Sequence, residues 1–296
     1  MSDVISFSLN GQLVEAQGGE TIWQVATRLG IEIPHLCYSP GVDYRADGNC
    51  RACMVEIEGE RVLAASCIRS PSEGMVVNSS SNRARTARKM VFEMLTADQP
   101  ARETSHDPDS KFWNWASDTG VTNSRLPQRL SPELDQSHTA MRVNLDACIH
   151  CNLCVRACRE VQVNDVIGMA YRGHDAKIVF DFDDPMGDST CVACGECVQA
   201  CPTGALMEAS LLDENQTRVN YPDEQVASVC PYCGVGCQIT YNLKDGKLLF
   251  VDGKEGPANR NRLCVKGRFG FDYVHHEHRL TVPLIRKDGV LKDAYE

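Results

Sequence analysis

Sixteen cysteines divide this chain of 296 residues into four sets of four, and none is left over. Each set has the close spacing that is typical of iron-sulfur ligands. Such a chain is constrained to fold as a series of small modules built around metal centres, which predicts a carrier of electrons. The sets are Cys37, Cys50, Cys53 and Cys67; Cys148, Cys151, Cys154 and Cys158; Cys191, Cys194, Cys197 and Cys201; and Cys230, Cys233, Cys237 and Cys264.

The overall charge and hydropathy exclude several classes of function. Forty acidic residues against thirty basic ones give a net charge of -10, which argues against a nucleic-acid partner. The sequence contains no run of 18 apolar residues and so predicts no membrane span, and its N-terminal residues do not resemble a signal peptide. We therefore expect a cytoplasmic chain without a membrane partner. In that reducing compartment, closely spaced cysteines are metal ligands more often than disulfides.

Residues 1–80 are predicted to form a β-rich domain. Asn10-Gly11 between two alternating segments indicates a hairpin, and Thr21 can cap a helix that ends near Gly30. A second hairpin and a last short strand follow, in the order of a β-grasp ferredoxin. The predicted strands are Val4–Leu9, Gln12–Ala16, Met54–Ile57, Arg61–Ala64 and Met75–Val77.

Residues 81–140 contain no cysteine. A helix is predicted over residues 82–96, capped by Ser81 or Asn82, with Arg85, Arg88 and Lys89 outside its apolar stripe. The stripe consists of Ala84, Ala87, Val91, Met94 and Leu95. Four breaks containing proline follow, so residues 97–140 are predicted to be an irregular wrapping linker that the aromatic side chains of residues 112–115 attach to the neighbouring modules.

The most specific pattern is a doubled C-x2-C-x2-C-x3-C run in residues 148–201. Three thiolates on a tight loop can bind one face of a 4Fe-4S cube, and the fourth ligand then comes from the other run. The first 4Fe-4S cluster is therefore assigned to Cys148, Cys151, Cys154 and Cys201, and the second to Cys158, Cys191, Cys194 and Cys197. A pair of zinc sites is the alternative, although zinc usually takes pairs of cysteines.

The two remaining sets have wider spacing. Cys37, Cys50, Cys53 and Cys67 combine one close pair with two distant ligands, as expected for a 2Fe-2S cluster, and Gly48 allows the backbone to approach it. Cys230, Cys233, Cys237 and Cys264 are assigned to a third 4Fe-4S cluster. By spacing alone either set could instead bind zinc, the last one as a zinc ribbon.

The residues around each set resemble known redox modules. Cys201-Pro202-Thr203-Gly204 resembles bacterial-type ferredoxins, and the first set resembles the 2Fe-2S domain of the complex I large iron-sulfur subunit. The last set, with Leu263-Cys264-Val265-Lys266-Gly267-Arg268, is similar to the 4Fe-4S segment of molybdopterin oxidoreductases. That resemblance implies that Lys266 lies between the cluster and the pterin and relays electrons to or from it.

Taken in order, the modules resemble the N-terminal third of the alpha subunit of cytoplasmic NAD-dependent formate dehydrogenases. The resemblance implies a multi-domain α+β chain with a β-grasp 2Fe-2S ferredoxin, a two-cluster bacterial-type ferredoxin and a small β-rich 4Fe-4S domain. The predicted domains are 1–80 (2Fe-2S), 81–140 (helix and linker without a cluster), 141–212 (two 4Fe-4S clusters), 226–282 (the molybdopterin-type 4Fe-4S domain) and 283–296 (the start of a catalytic domain).

The same resemblance implies the function and the partners. Electrons from formate oxidation at a molybdenum or tungsten bis-pterin, in a further domain or a separate chain, would reach a flavin- and NAD-binding diaphorase subunit. No catalytic acid, base or nucleophile is expected in these residues. The alternatives are a self-standing polyferredoxin-like carrier, or a wiring subunit of a hydrogenase or another molybdopterin oxidoreductase. The complex I subunit is expected to lack the ferredoxin pair.

Two departures from the resembled family stand out. Its members commonly have a further cluster between the 2Fe-2S domain and the ferredoxin pair, bound by one histidine and three cysteines. Residues 97–140 offer only His106 and His138, so we expect that cluster to be absent here. The family's alpha subunits also continue for several hundred residues beyond the position of Glu296, so we expect the catalytic part elsewhere.

Overall fold

A computed structural model describes residues 4–40, 44–128 and 132–293. The chain divides into two compact units, Met1–Val219 and Asn220–Glu296. Helices and strands mix in an α+β arrangement, as predicted. Within the described ranges, no helix has both the length and the apolar character needed to cross a membrane.

The first unit begins with a five-stranded sheet in the order β2-β1-β5-β3-β4. Strand β5 runs parallel to β1 and antiparallel to β3, and the other pairs are antiparallel. Helix α1 (Ile22–Arg28) contributes Ile22, Trp23 and Val25 to the core beneath the sheet. The strands are β1 (Ile5–Leu9), β2 (Gln12–Ala16), β3 (Met54–Ile57), β4 (Ala64–Ala65) and β5 (Val76–Asn78).

Local sequence signals explain the first two elements of this domain. Asn10 (φ 54°) and Gly11 (φ 83°) both have the left-handed backbone that a tight hairpin turn requires, which confirms the predicted turn. Thr21 caps α1 through a reciprocal pair of hydrogen bonds with Gln24, as the predicted helix start requires.

The second predicted hairpin is only partly correct. The return strand predicted over Arg61–Ala64 is reduced to Ala64–Ala65, and the last strand begins one residue later than predicted. Only Met54 and Val55 of β3 pair with β4, whereas the end of β3 pairs with β5 on its other edge. Arg61–Leu63 therefore lies outside the sheet.

Helix α2 (Asn82–Thr96) has the predicted bounds and is capped by Ser81, but the predicted buried face is only partly correct. Arg88 is buried, whereas Met94 is exposed. The Arg88 guanidinium donates to the carbonyl oxygens of Ser79 and Ala84, and this allows the arginine to be buried without an unsatisfied charge. The buried residues of α2 are Ala84, Arg88, Phe92 and Thr96.

The segment predicted to be an irregular linker contains a helix, α3 (Lys111–Asp118), and a 3-10 turn over Arg102–Thr104. The Ser110 hydroxyl accepts a hydrogen bond from the Trp113 N–H at 3.4 Å and caps α3. Phe112 and Trp113 are buried, which confirms the predicted aromatic attachment.

The rest of the first unit holds the doubled cysteine run. Strands β6 (Met141–Val143) and β9 (Leu206–Glu208) pair at its two ends. Strands β7 (Ile167–Ala170) and β8 (Lys177–Phe180) form a hairpin in the long insert between the runs. The helices are α4 (Leu153–Arg156), which continues as a π-helical turn over Ala157–Val161, and α5 (Glu196–Ala200).

The second unit is built on a three-stranded antiparallel sheet. Its core joins Cys230, Ile239, Val251 and Leu263. The elements are β10 (Glu224–Val229), β11 (Gln238–Lys244), β12 (Lys247–Gly253), α6 (Val265–Phe269) and a hairpin of β13 (Leu284–Lys287) and β14 (Val290–Asp293).

Candidate iron-sulfur centres

The first cysteine set forms one connected group of thiols. Cys37 shares thiol hydrogen bonds with Cys50 and Cys67, and Cys67 shares another with Cys53. These bonds lower the pKa of Cys37, and the Cys67 contact lowers the pKa of Cys53 to about 7. The Cys50 N–H also donates to the Cys37 Sγ at 3.4 Å. The same bonds raise the pKa of Cys50 and Cys67, so the four thiols share their protons as one interacting group.

Gly48 allows the loop of the first set to turn close to its own side chains. Its φ is +65°, and a Cβ there would lie 2.9 Å from the Cδ1 of Ile68. Both conditions favour glycine at this position. The tight loop therefore brings Cys50 and Cys53 close to Cys37 and Cys67, the other two cysteines of the set.

The doubled run groups its cysteines across the two runs. Cys148, Cys151 and Cys154 line one cavity together with Cys201 of the second run. Burial raises the pKa of Cys191, Cys194 and Cys197, and the negative charge of Cys158 raises all three further. These two donor sets would fit two 4Fe-4S cubes, and the assignment of ligands to each cube stays a prediction.

The two loops of the doubled run also share a backbone conformation. His150 and Asn152 have positive φ in the first loop, and Ala193 and Gly195 have it at the matching positions of the second. Backbone N–H groups reach several sulfurs: Val166 donates to Cys158 at 3.3 Å and Ala193 to Cys191 at 3.4 Å. Amide donors to cluster sulfurs are one way in which a protein adjusts a cluster's potential.

The fourth set lies in the second unit and is more open. Cys230 is buried and Cys237 partly buried, while Cys233 and Cys264 are exposed. The Cys230 N–H donates to the Cys237 carbonyl at 2.9 Å. Burial raises the pKa of Cys237, and the charges of Cys230, Cys233 and Cys264 raise it further, so all four lie near one another.

Helix α6 fixes the residues that follow Cys264. The buried Arg268 guanidinium donates to the Val251 carbonyl at 3.0 Å and to the Asp252 carboxylate at 3.3 Å. A Cβ at Gly267 would lie 3.6 Å from the Cys230 Sγ, so the helix passes close to the cysteine group. Lys266 is exposed on α6, where its ammonium is accessible to a further domain or chain.

The two histidines of the linker lie in different environments. His106 is fully buried, and its backbone carbonyl accepts from the Arg218 N–H at 2.9 Å. His138 accepts a hydrogen bond from the Ala140 N–H at 3.1 Å. In the part of the chain that the structure describes, no three His, Cys, Asp or Glu side chains are grouped so that they could hold a single metal ion.

The spacing of the cysteines did not reveal which residues join the sets. Cys37, Cys151, Phe112 and Trp113 belong to one apolar core, and Cys50 packs against it. The Tyr44 hydroxyl donates to the Glu196 carboxylate at 3.0 Å and links the 2Fe-2S region to the second run. Their sequence separation of 152 residues left no local signal for this contact.

Three family models match the chain. A 2Fe-2S iron-sulfur cluster binding domain matches residues 2–82, a 4Fe-4S dicluster domain residues 147–205, and a molybdopterin oxidoreductase Fe4S4 domain residues 223–276. These matches bear out the predicted fold class. The exact domain bounds and the ligand assignments remain predictions.

Relatives match nearly the whole chain. An NADH-quinone oxidoreductase subunit of Rhizobium meliloti is 33% identical over 97% of this chain and 34% of its own length. "Putative formate dehydrogenase SH0748" of Staphylococcus haemolyticus is 26% identical over 98% of this chain and 33% of its own length. The chain thus spans about a third of these relatives. Because the first match also runs across the ferredoxin pair, that pair does not by itself separate the two classes.

A solved structure agrees with these relatives. One chain of an NAD+-reducing NiFe hydrogenase superposes with a TM-score of 0.62 and 28% identity, and the match covers 69% of this chain and 87% of that one. The chain therefore contains a 2Fe-2S domain, a 4Fe-4S dicluster domain and a molybdopterin oxidoreductase Fe4S4 domain, and along nearly its whole length it is similar to about a third of an NADH-quinone oxidoreductase subunit and of formate dehydrogenase-like proteins.

Proposed function

We propose that the chain is the electron-transfer part of a cytoplasmic NAD-dependent formate dehydrogenase. In this proposal it carries electrons from formate oxidation at a molybdenum or tungsten bis-pterin site to a flavin- and NAD-binding partner. The observation that supports electron transfer most is the crossed grouping of Cys201 with the first run and of Cys158 with the second. The relatives named as formate dehydrogenases support the choice of substrate.

The four cysteine sets would hold one 2Fe-2S and three 4Fe-4S clusters. Bound there, the clusters supply one-electron carriers. The chain's own residues hold the thiolates, exclude water through the buried cores around them, and donate backbone N–H groups to the sulfurs. Lys266, exposed on α6 beside Cys264, would face the pterin-bearing domain or chain.

A second candidate is a wiring subunit of a hydrogenase or of a complex I-like enzyme. It is favoured by the match to a chain of an NAD+-reducing hydrogenase, of which 87% is covered, and by the relative named as an NADH-quinone oxidoreductase. The two candidates share the clusters and differ in the substrate that supplies the electrons.

Anaerobic reduction of the native complex separates these candidates. Under the main proposal, formate bleaches the visible absorbance of the clusters within the time of turnover and hydrogen does not. Bleaching by hydrogen and not by formate would favour the second candidate. A complex that dithionite reduces and formate does not would contradict the main proposal, and reduction by NADH but by neither formate nor hydrogen would favour a complex I-like enzyme.

The relay role of Lys266 can be tested in the same complex. Lys266→Ala should slow reduction by formate at least tenfold and leave reduction by dithionite complete. The matched control is Lys254→Ala, which removes another exposed lysine of the same unit and should reduce at the wild-type rate. Equal rates for both variants would contradict a relay role.

A further inference from the structure

The first turn of α3 is attached to two cysteine sets at once. The Phe112 N–H donates to the carbonyl of Pro202, the residue after Cys201, at 3.0 Å. One residue earlier, the Nζ of Lys111 lies 2.6 Å from the Nε2 of His35, in the segment that leads into Cys37. Helix α3 therefore contacts both the segment that leads into Cys37 and the residue that follows Cys201, a predicted ligand of the first 4Fe-4S cluster.

The hydrogen bonds fix the direction of the Lys111–His35 contact. The Nδ1 of His35 lies 3.2 Å from the Ile33 carbonyl, and a carbonyl oxygen can only accept, so Nδ1 carries the proton. Nε2 is then unprotonated and accepts a hydrogen bond from the Lys111 ammonium. The imidazole ring packs edge-on against Trp23, with ring centroids 4.5 Å apart. This contact fixes the ring, and the ring in turn fixes the position of the Lys111 ammonium.

The positive charge of Lys111 lies in a largely buried, apolar environment. Phe112, Trp113, Cys37 and Cys151 share one apolar core around this turn. Burial lowers the pKa of Lys111 to about 8, and the negative charges of Cys50, Cys151 and Cys37 oppose that shift. At neutral pH the side chain is therefore a cation that acts on ligands of both predicted centres. Charges interact more strongly in such an apolar environment than in water.

We propose that Lys111, held by His35, is a tuning residue that sets the potentials of both the 2Fe-2S centre and the Cys148 centre. Its positive charge stabilises the reduced, more negative form of each cluster and so raises the potentials of both. Each centre takes up or releases one electron, and no bond forms or breaks. The inference rests on the proposed function and assigns a role to helix α3, in the segment that lacks a cluster.

The test is a redox titration of the full chain, purified anaerobically with its clusters and followed by electron paramagnetic resonance. Lys111→Met keeps the length of the side chain and removes its charge, whereas Lys111→Arg keeps the charge. Lys89→Met, which removes an exposed lysine on α2, is the control. If the methionine variant does not load its clusters, Lys111→Gln provides the same test of charge.

The neutral variant should lower the midpoint potential of the 2Fe-2S cluster. We expect at least a tenfold change in its reduction equilibrium, or about 59 mV for one electron, in the direction that disfavours reduction. The arginine and Lys89 variants should stay near the wild-type potential. A neutral variant with unchanged potentials and full cluster content would overturn the inference alone. Wild-type chain that binds no clusters would instead overturn the proposed function.

Discussion

A single arginine joins the 2Fe-2S region to the helix between two predicted 4Fe-4S ligands. Arg156 lies between Cys154 and Cys158, and only 3% of its surface is exposed. Its guanidinium donates to the Cys37 carbonyl at 2.6 Å and to the Arg45 carbonyl, and it lies 3.2 Å from the Asp47 carboxylate. The planar, five-donor geometry of arginine suits three acceptors at once.

Arg156→Met should therefore separate the two regions. It leaves the Cys37 and Arg45 carbonyls without their donor and removes one of the two arginines paired with Asp47, which costs roughly 2 kcal/mol. We expect the urea concentration at which the 2Fe-2S absorbance is lost to fall clearly. Arg159→Met is the control, since Arg159 forms an exposed pair with Asp165 that water and salt screen. Equal midpoints for the two variants would contradict this role.

The buried His106 should make the first unit sensitive to acid. Burial, followed by the charge of Arg142, lowers its pKa from 6.5 to about 4. Both ring nitrogens are buried without a hydrogen-bond partner, so the folded chain keeps the ring neutral. Between pH 6.5 and 4 the unfolded chain binds a proton that the folded chain does not. Stability is therefore lost as the pH falls, by roughly 1.4 kcal/mol per pH unit at most.

His106→Gln should reduce this loss. We expect its denaturation midpoint to decline less than that of the wild type between pH 6.5 and 4.5. His276→Gln, which changes an exposed histidine of the other unit, should follow the wild type. If wild type and His106→Gln decline in parallel, the buried ring is not the cause.

At the scale of elements, α3 depends on its cap. The Ser110 hydroxyl satisfies the Trp113 N–H at the start of a short helix. Ser110→Ala should cost about 1 kcal/mol of stability, measured by the same urea midpoint. Ser72→Ala, at an exposed position outside the helices and strands, should change it little. No loss in Ser110→Ala would show that packing alone holds α3.

Elements set by adjacent residues could be predicted from the sequence, and elements set by distant partners could not. The Asn10-Gly11 turn and the Thr21 cap are local signals, and both are present. The buried face predicted for α2 was only partly correct. Arg88 is buried because it donates to the carbonyl of Ser79, a residue outside the helix. Helix α3 was not predicted, because the prolines on either side of it indicated an irregular segment and outweighed the helix cap at Ser110.

At the scale of the whole molecule, the cysteine spacing predicts four groups of ligands, and that assignment stays a prediction. The crossed grouping of the doubled run follows from the short reach of each loop, which is a local property. Spacing gave no sign of Lys111, His35 or Arg156, because their partners lie 76 to 119 residues away in the sequence. The connections between centres therefore had to come from the structure.

The central claim is that the four cysteine sets hold four iron-sulfur clusters. Its most direct test is the iron, acid-labile sulfide and zinc content of the anaerobically purified chain. Two irons from one 2Fe-2S cluster and four from each of three 4Fe-4S clusters predict about fourteen irons per chain, with an equal number of sulfides. A well-folded chain that contains zinc and no acid-labile sulfide would contradict the claim.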